Sequence, residues 1–365
     1  MSAHGVTGKG CIRLALPGKG ALEAATQTFF AECGMKVSRS NPRQYLASIK
    51  SMPGLEVVFQ RVADIPSLVQ SGDALLGITG YDILGEHRGY GDEYAEEGEH
   101  DDNLMVLARD LGFGACRLVV AVPETWIDVS TCADLWHLAG YYKTHKNRGL
   151  RIATKYPILT GQFLRHHNIT HCKIFSPHGA LEAAPLTDTA DLIVDLTETG
   201  TTLRENRLKL LDDGVVLRSQ ACLIGNARLL CQDPHALRLT ETMLELMDAR
   251  LQARNRSMLT AYIHGESFEA VQRICSRLNQ RLKSMVSGVE LQVLTSERTS
   301  ATAEPGGYTI SGVANVGDSA PELLETVAVL RSAGATHIHV TPLIYRFTEE
   351  SISVRALRER LKRIH

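Results

Sequence analysis

Residues 191–208 read DLIVDLTETGTTLRENRL, an apolar run that gives way at once to Thr197, Glu198, Thr199, Gly200, Thr201 and Thr202. A glycine lets the chain turn tightly after a strand, and successive backbone N–H groups can then converge on an oxyanion. Threonine hydroxyls add donors without adding charge. Asp195 and Glu198 in the same stretch can accept hydrogen bonds from sugar hydroxyls or hold Mg2+ through water. A phosphorylated sugar satisfies both halves of the pattern. The competing reading is a strand-to-helix turn whose threonines only cap the next helix.

A second candidate is LALPGKGAL at 14–22, where Lys19 stands between Gly18 and Gly20 at a strand-to-helix junction. Lys19 offers charge and the helix start offers dipole, although the stretch is neither GxGxxG nor a Walker sequence. Arg43 in NPRQY, Arg61 and Asp64 in RVADIP, and Asp82 in GITGYD are further polar groups at loop ends. His166, His167 and His171 in RHHNITHC, and His337 and His339 in THIHV, fall short of three converging ligands at fixed spacing. They read as surface or packed side chains, and no nucleophile elbow accompanies them.

These residues need elements to place them. Through the first 230 residues, strand-like runs alternate with helical periodicity: CIRLALP then ALEAATQTFFAECG, LEVVFQRV then DIPSLVQSG, LLGITG then YDILGEH. That rhythm argues for α/β architecture with largely parallel sheets. CRLVVAVP, LRIATKYP, HCKIFSP and DLIVDL continue it, and GVVLRSQACLIGN at 214–226 reads as one further strand. Residues 87–103 are acidic and Gly-bearing, and read as a surface loop. Residues 235–256 read as an amphipathic helix leading out of this body. Beyond it the pattern spells β-α-β-β-α-β, a ferredoxin-like module, closed by SVRALRERLKRIH, whose Val354, Leu357 and Leu361 predict a docked amphipathic helix.

At 365 residues the chain is long enough for two or three domains. Its 22% charged residues and net charge of -2 carry no basic excess, which argues against nucleic acid as a partner. No long uncharged apolar run suggests a membrane span, and MSAHGVTGKG lacks a signal-peptide core, so a cytoplasmic protein is expected. The eight cysteines occur singly, mostly in apolar stretches, and read as reduced core thiols.

The stretch LEAAPLTDTADLIVDLTETGTTL at 181–203 resembles the signature of the ATP phosphoribosyltransferases of histidine biosynthesis, with Glu182, Asp195, Thr199, Gly200, Thr202 and Leu203 in their expected places. LPGKGAL, QRVADIPSLVQSG, LGITGYDIL, LGFGACRLVVAVP, LRIATKYP and VVLRSQACLI match in order, so the resemblance spans nearly the whole chain. It implies two periplasmic-binding-protein-like lobes: residues 1–107 with a return segment 222–250, and residues 108–221. Residues 251–365 would form a ferredoxin-like regulatory domain, as in the long form of the enzyme.

The implied reaction joins ATP and phosphoribosyl pyrophosphate, with Mg2+ as cofactor. Thr197, Thr199, Gly200, Thr201, Thr202 and Leu203 would hold phosphoribosyl pyrophosphate, and Asp195 with Glu198 would act on the ribose and metal. Lys19, Gly20, Arg43, Arg61 and Asp82 would face ATP or pyrophosphate. L-histidine would inhibit, with Thr299 as an effector contact, and the subunits would form a dimer-built hexamer. The chain departs from the family at Ala21, where Arg is usual, at Leu75, where Asp is usual, and at Asp188, where Gly is usual. It also carries Ala261 where long forms can have Asp, and TSERTSATAEP in place of their Pro-Thr loop. A two-lobed small-molecule sensor, or a diverged paralogue, is the competing function.

Overall fold

The computed structural model describes residues 12–39, 41, 44–89, 103–177, 181–283, 290–294, 307–315 and 320–364. Arg43 and Thr299, Cys11, the segment 295–305 and most of the acidic loop lie outside them. The chain forms two compact units, Met1–Leu244 with Ser353–His365, and Glu245–Ile352.

The first unit begins with β1 (Ile12–Pro17), α1 (Ala21–Glu32), β2 (Val37–Ser38), β3 (Leu46–Ile49) and β4 (Leu55–Gln60). There follow α2 (Ile65–Ser71), β5 (Leu76–Gly80), α3 (Tyr81–Arg88) and β6 (Leu104–Ala108). Next come β7 (Cys116–Pro123), α4 (Cys132–His145), β8 (Leu150–Thr154), α5 (Pro157–His166) and β9 (Cys172–Phe175). Then β10 (Leu192–Thr197), α6 (Thr201–Glu205), β11 (Leu208–Ser219), β12 (Ala221–Asn226), α7 (Ala227–Gln232) and α8 (Pro234–Ala253), the last running into the second unit.

Among the described residues these strands make two sheets, one ordered β2-β3-β4-β1-β5-β12-β6 and one ordered β11-β7-β10-β8-β9. In the first, β1 is parallel to both β4 and β5, and Leu14, Ala15 and Leu16 are fully buried. A central parallel strand is covered on both faces, which is why it reads as a continuous apolar run rather than an alternation. The carboxyl ends of β1, β4 and β5 therefore share one edge, where Lys19 and Arg61 follow β1 and β4 and Asp82 stands in the first turn of α3. In the second sheet β10 is parallel to β8, so Tyr156 and the threonine run leave the same edge.

The chain passes between the sheets twice, from Ala108 to Cys116 and again at Gln220. The two passages run side by side: the Leu111 N–H donates to the Ala221 carbonyl, and the Ala221 N–H to that of Phe113. The Gln220 amide donates to the Arg109 carbonyl at 3.0 Å. The stretch 214–226 is thus two strands in two sheets, not the one that its unbroken apolar pattern suggests. Apolar periodicity cannot mark where a strand changes partners.

The second unit holds β13 (Ser257–His264), α9 (Phe268–Lys283), β14 (Glu290–Leu294), β15 (Gly307–Ala314), α10 (Ala320–Ser332) and β16 (Ala335–Pro342). Its sheet order β14-β15-β13-β16 is that of a ferredoxin-like fold. Val271, Cys275, Leu278 and Leu282 of α9 make one helical stripe and are all buried in its core. The terminal helix α11 (Ile352–Ile364) buries Val354, Leu357 and Leu361. Apart from Ile352 at its start, its residues group with the first unit rather than with residues 251–352. Arg358 pairs with Glu241 at 2.7 Å, and Arg360 donates to the Val106 carbonyl.

Candidate active site

Two adjoining cavities lie at the carboxyl end of β10, the first of them where residues of both sheets of the first unit meet. One, of about 350 Å3, is lined by Ala21, Leu22, Val62, Asp82, Cys116 and Tyr156 among others. The second, of about 240 Å3, is lined by Glu182, Thr199, Thr201, Thr202 and Leu203. Leu196, Thr197 and Glu198 belong to both. The threonine run is therefore the wall between an apolar chamber and a polar one.

Within the run the residues divide by task. Thr197 ends β10 and is 9% exposed, its hydroxyl accepting the Gly200 N–H at 2.8 Å. Gly200 follows with φ of +79°, a left-handed conformation that glycine adopts at little cost, and an added Cβ there would meet nothing within 4 Å. The requirement is conformational, not steric. Thr199 and Thr201 are exposed and share a hydroxyl–hydroxyl bond of 3.0 Å, while Thr202 is exposed toward the polar chamber. Leu203 borders the polar chamber yet is 2% exposed in a core with Val119, Ile193 and Leu208, so its side chain anchors α6. Thr197 is buried yet lines both chambers, and its hydroxyl, which accepts the Gly200 N–H, keeps its own proton to donate.

Asp195 stands half-buried on β10, its Oδ1 accepting the Leu196 N–H at 2.8 Å. Burial pushes its carboxyl up, with the Glu182 charge adding to the push and the Leu196 N–H and Lys155 opposing it. Glu198 is exposed. On the other sheet, Lys19, Gly20 and Arg61 are exposed; Gly20 and Arg61 directly precede the chamber-lining Ala21 and Val62, and Lys19 lies two residues before Ala21. Gly20 caps α1 with φ of +86°.

Asp82 has a different place from the one its sequence context implies. It is 5% exposed and accepts the Tyr156 hydroxyl at 2.6 Å on Oδ2 and the Ser219 hydroxyl at 2.6 Å on Oδ1. Its own N–H donates to the Ser219 oxygen at 2.9 Å. Tyr156 stands between β8 and α5 and Ser219 ends β11, both on the second sheet's side, so Asp82 clasps the two lobes at the apolar chamber. Burial and the Asp82 charge push the Tyr156 phenol far up, keeping it a donor. The same two causes push the Cys116 thiol up to about 11, leaving the chamber a neutral thiol and no thiolate nucleophile. Four residues on, Glu86 accepts the N–H groups of Ile158 at 2.8 Å and Leu159 at 3.0 Å, satisfying the open first turn of α5. Gln162 donates to the Gly89 carbonyl in the same seam.

Sequence reading missed Tyr156, Ser219 and Glu86 because each acts through a residue more than seventy positions away. Their one local signal is position, at the end of a strand or on the first turns after it. Two departures from the family pattern lose their apparent bearing on substrate. Leu75 is 5% exposed and precedes the first residue of β5, about 16 Å of strand from the chamber-lining Gly80. Asp188 takes φ of +54°, which Asp tolerates better than most residues, and ion-pairs with Arg151 at 2.5 Å. Of the three, Ala21 lines the apolar chamber, and Leu75 and Asp188 line neither chamber.

Comparison with known proteins gives the family. The family model HisG, ATP phosphoribosyltransferase, matches residues 61–278. ATP phosphoribosyltransferase 2, chloroplastic, of Arabidopsis thaliana is 36% identical over 95% of this chain and 79% of its own. The ATP phosphoribosyltransferase of Bradyrhizobium sp. (strain ORS 278) is 33% identical over 94% of this chain and 96% of its own. A solved structure of the ATP phosphoribosyl transferase (HisG:HisZ) complex of Thermotoga maritima aligns at a TM-score of 0.46 and 25% identity, covering 65% of this chain and 98% of that one. The chain belongs to the ATP phosphoribosyltransferase family, the phosphoribosyl-transferring enzymes of histidine biosynthesis.

Proposed function

We propose that the polar chamber takes phosphoribosyl pyrophosphate and the apolar chamber the adenine of ATP, so that N1 of ATP meets the anomeric carbon beside residues 196–198. The N1–carbon bond forms as the bond from that carbon to pyrophosphate breaks, giving phosphoribosyl-ATP and pyrophosphate. The observation that carries this reading is the shared wall: two cavities of opposite polarity meet at Leu196, Thr197 and Glu198. The transition state places positive charge on the ribose and negative charge on the leaving pyrophosphate, so donors and cations matter more than a strong base. Thr199, Thr201 and Thr202 supply hydroxyl donors to the 5-phosphate, and Asp195 accepts from the ribose hydroxyls. Lys19, Gly20 and Arg61 border the nucleotide side, with Arg43 assigned there by sequence. Leu203 contributes backbone only, and Asp82 sets the distance between the lobes.

The family generally uses a divalent metal. We take it to be Mg2+ arriving with pyrophosphate, and the residues present fit that ion. A chamber meant for a phosphate ester yet lined by Glu182 and Glu198, with a half-buried Asp195 next to it, needs a hard cation to balance its carboxylates. When bound, the ion neutralises charge developing on pyrophosphate. The assay is the absorbance rise of phosphoribosyl-ATP on mixing the protein with ATP, phosphoribosyl pyrophosphate and Mg2+; both substrates bound without product would overturn the assignment.

We further infer that L-histidine inhibits through the second unit, with Thr299 as a contact, and that the enzyme is a cytoplasmic homo-oligomer, a hexamer built from dimers. No described helix is long and apolar enough to cross a membrane. A fair deletion test of inhibition removes part of Glu245–Ile352 while retaining Ser353–His365, because those last residues belong to the first unit.

A further inference from the structure

Three potential ligands of different chemistry converge away from both cavities. Cys132 opens α4, His167 directly follows α5, and Asp213 stands where β11 leaves its ladder with β7, between Leu210 and Val215. One donor atom from each, a thiol sulfur, a ring nitrogen and a carboxylate oxygen, lies within 4.8 Å of the others. None of the three lines the apolar or the polar chamber. The geometry points to a Zn2+ site made of the Cys132 thiolate, a His167 ring nitrogen and an Asp213 carboxylate oxygen, with water in the fourth position.

The surroundings hold the three donors in place. The Cys132 N–H donates to Asp213 Oδ1 at 2.7 Å, which fixes the carboxylate and leaves its second oxygen to bind. The Asp212 N–H donates to the Ser130 carbonyl at 2.9 Å, tying the bulge to the start of α4. Gly214 lets the bulge close, since an added Cβ would come within 2.8 Å of Leu211 Cβ. The His167 ring rests on Phe163, with centroids 4.5 Å apart, which limits its rotation. Burial falls from Cys132 through His167 to the exposed Asp213, so an ion enters from solvent at the Asp213 side.

A donor set of sulfur, nitrogen and oxygen suits Zn2+ better than Mg2+ or Ca2+. Binding releases the thiol proton to solvent, and a thiolate with a carboxylate then balances the ion's charge. The ion would join the start of α4, the end of α5 and the bulge of β11, which are far apart in sequence. Its role is to brace the second sheet's helical layer, not to take part in phosphoribosyl transfer.

The test uses the full-length chain, stripped with a chelator, given Zn2+ and passed through gel filtration before elemental analysis. Wild type is expected to retain about one equivalent and to unfold at a higher temperature than when stripped. Substituted Co2+ should show a thiolate charge-transfer band. Cys132→Ser, His167→Gln and Asp213→Asn should each cut retention at least tenfold, while Cys231→Ser retains zinc. Asp213→Asn keeps the oxygen that receives the Cys132 N–H, so it reads ligation without disturbing the helix start. Retention by wild type no greater than by a Cys132→Ser, His167→Gln double variant, or a cobalt spectrum without the thiolate band, would overturn the site.

Discussion

Asp195 is a carboxylate held where burial works against its charge, and that predicts how activity responds to pH. Its carboxyl titrates above the ordinary Asp range, so the charged form is lost earlier as pH falls. The acid limb of kcat/KM should therefore sit above the value expected of an exposed Asp. Asp195→Asn should remove that limb and lower turnover by about a hundredfold; a wild-type-like profile in this variant would count against Asp195 as the group that meets ribose. Thr202→Val, which removes one exposed donor and leaves the buried frame of Thr197 and Leu203 intact, should cost about 10- to 100-fold in kcat with unchanged unfolding. Thr197→Val should instead lower stability, because it strips the acceptor from the Gly200 N–H.

At the scale of elements, α3 carries the connection between the lobes. Asp82 and Glu86 lie one helical turn apart, so both reach the second sheet's side from one face, Asp82 to Tyr156 and Ser219, Glu86 to the open end of α5. Glu86→Ala should cost about 1–2 kcal/mol, the usual loss for an uncapped helix start, measured by thermal unfolding. Because that cap lies between lobes, its loss should also raise KM for both substrates. Gly80→Ala should act on Asp82 instead: a Cβ at Gly80 would collide with the Asp82 carboxylate, which Tyr156 and Ser219 hold in place. Retained kcat in Gly80→Ala would show that the clasp does not govern the chamber. The strands and helices flanking α3 are legible from periodicity, since each buries one face or both. The clasp is not legible, because nothing in YDILGEH distinguishes an Asp that meets solvent from one that meets a tyrosine 74 residues away.

For the whole molecule, two predictions follow from where the terminal helix packs and where charge is buried. Truncation after Ile352 should destabilise the first unit, since it removes Leu357, 2% exposed, along with Val354 and Leu361. Leu357→Ala alone should cost about 2–5 kcal/mol, seen as an earlier thermal transition of the catalytic body. Acid should unfold the same body through Asp191. Burial alone would raise that carboxyl, but the Arg148 and Arg151 guanidiniums and the Arg151 N–H outweigh it and hold it below the usual carboxylate range. Its stabilisation is present at neutral pH and is lost as pH falls through the ordinary Asp range and below. Asp191→Asn should flatten that acid dependence.

By itself the sequence determined the family, the α/β alternation, the ferredoxin-like module and the threonine loop with its glycine, because each is written in contiguous residues with a local physical cause. Left-handed backbone needs Gly200 where it stands, a parallel strand needs an unbroken apolar run, and a docked helix needs a stripe at Val354, Leu357 and Leu361. Only the tertiary structure decided that Leu203 is core, that Asp82 is a clasp, that Leu75 lies at the far end of its strand from the chamber, and that Cys132, His167 and Asp213 meet. Those facts depend on which strands neighbour one another and where the chain changes sheets, and a contact between residues far apart in the chain leaves no periodicity for the sequence to show.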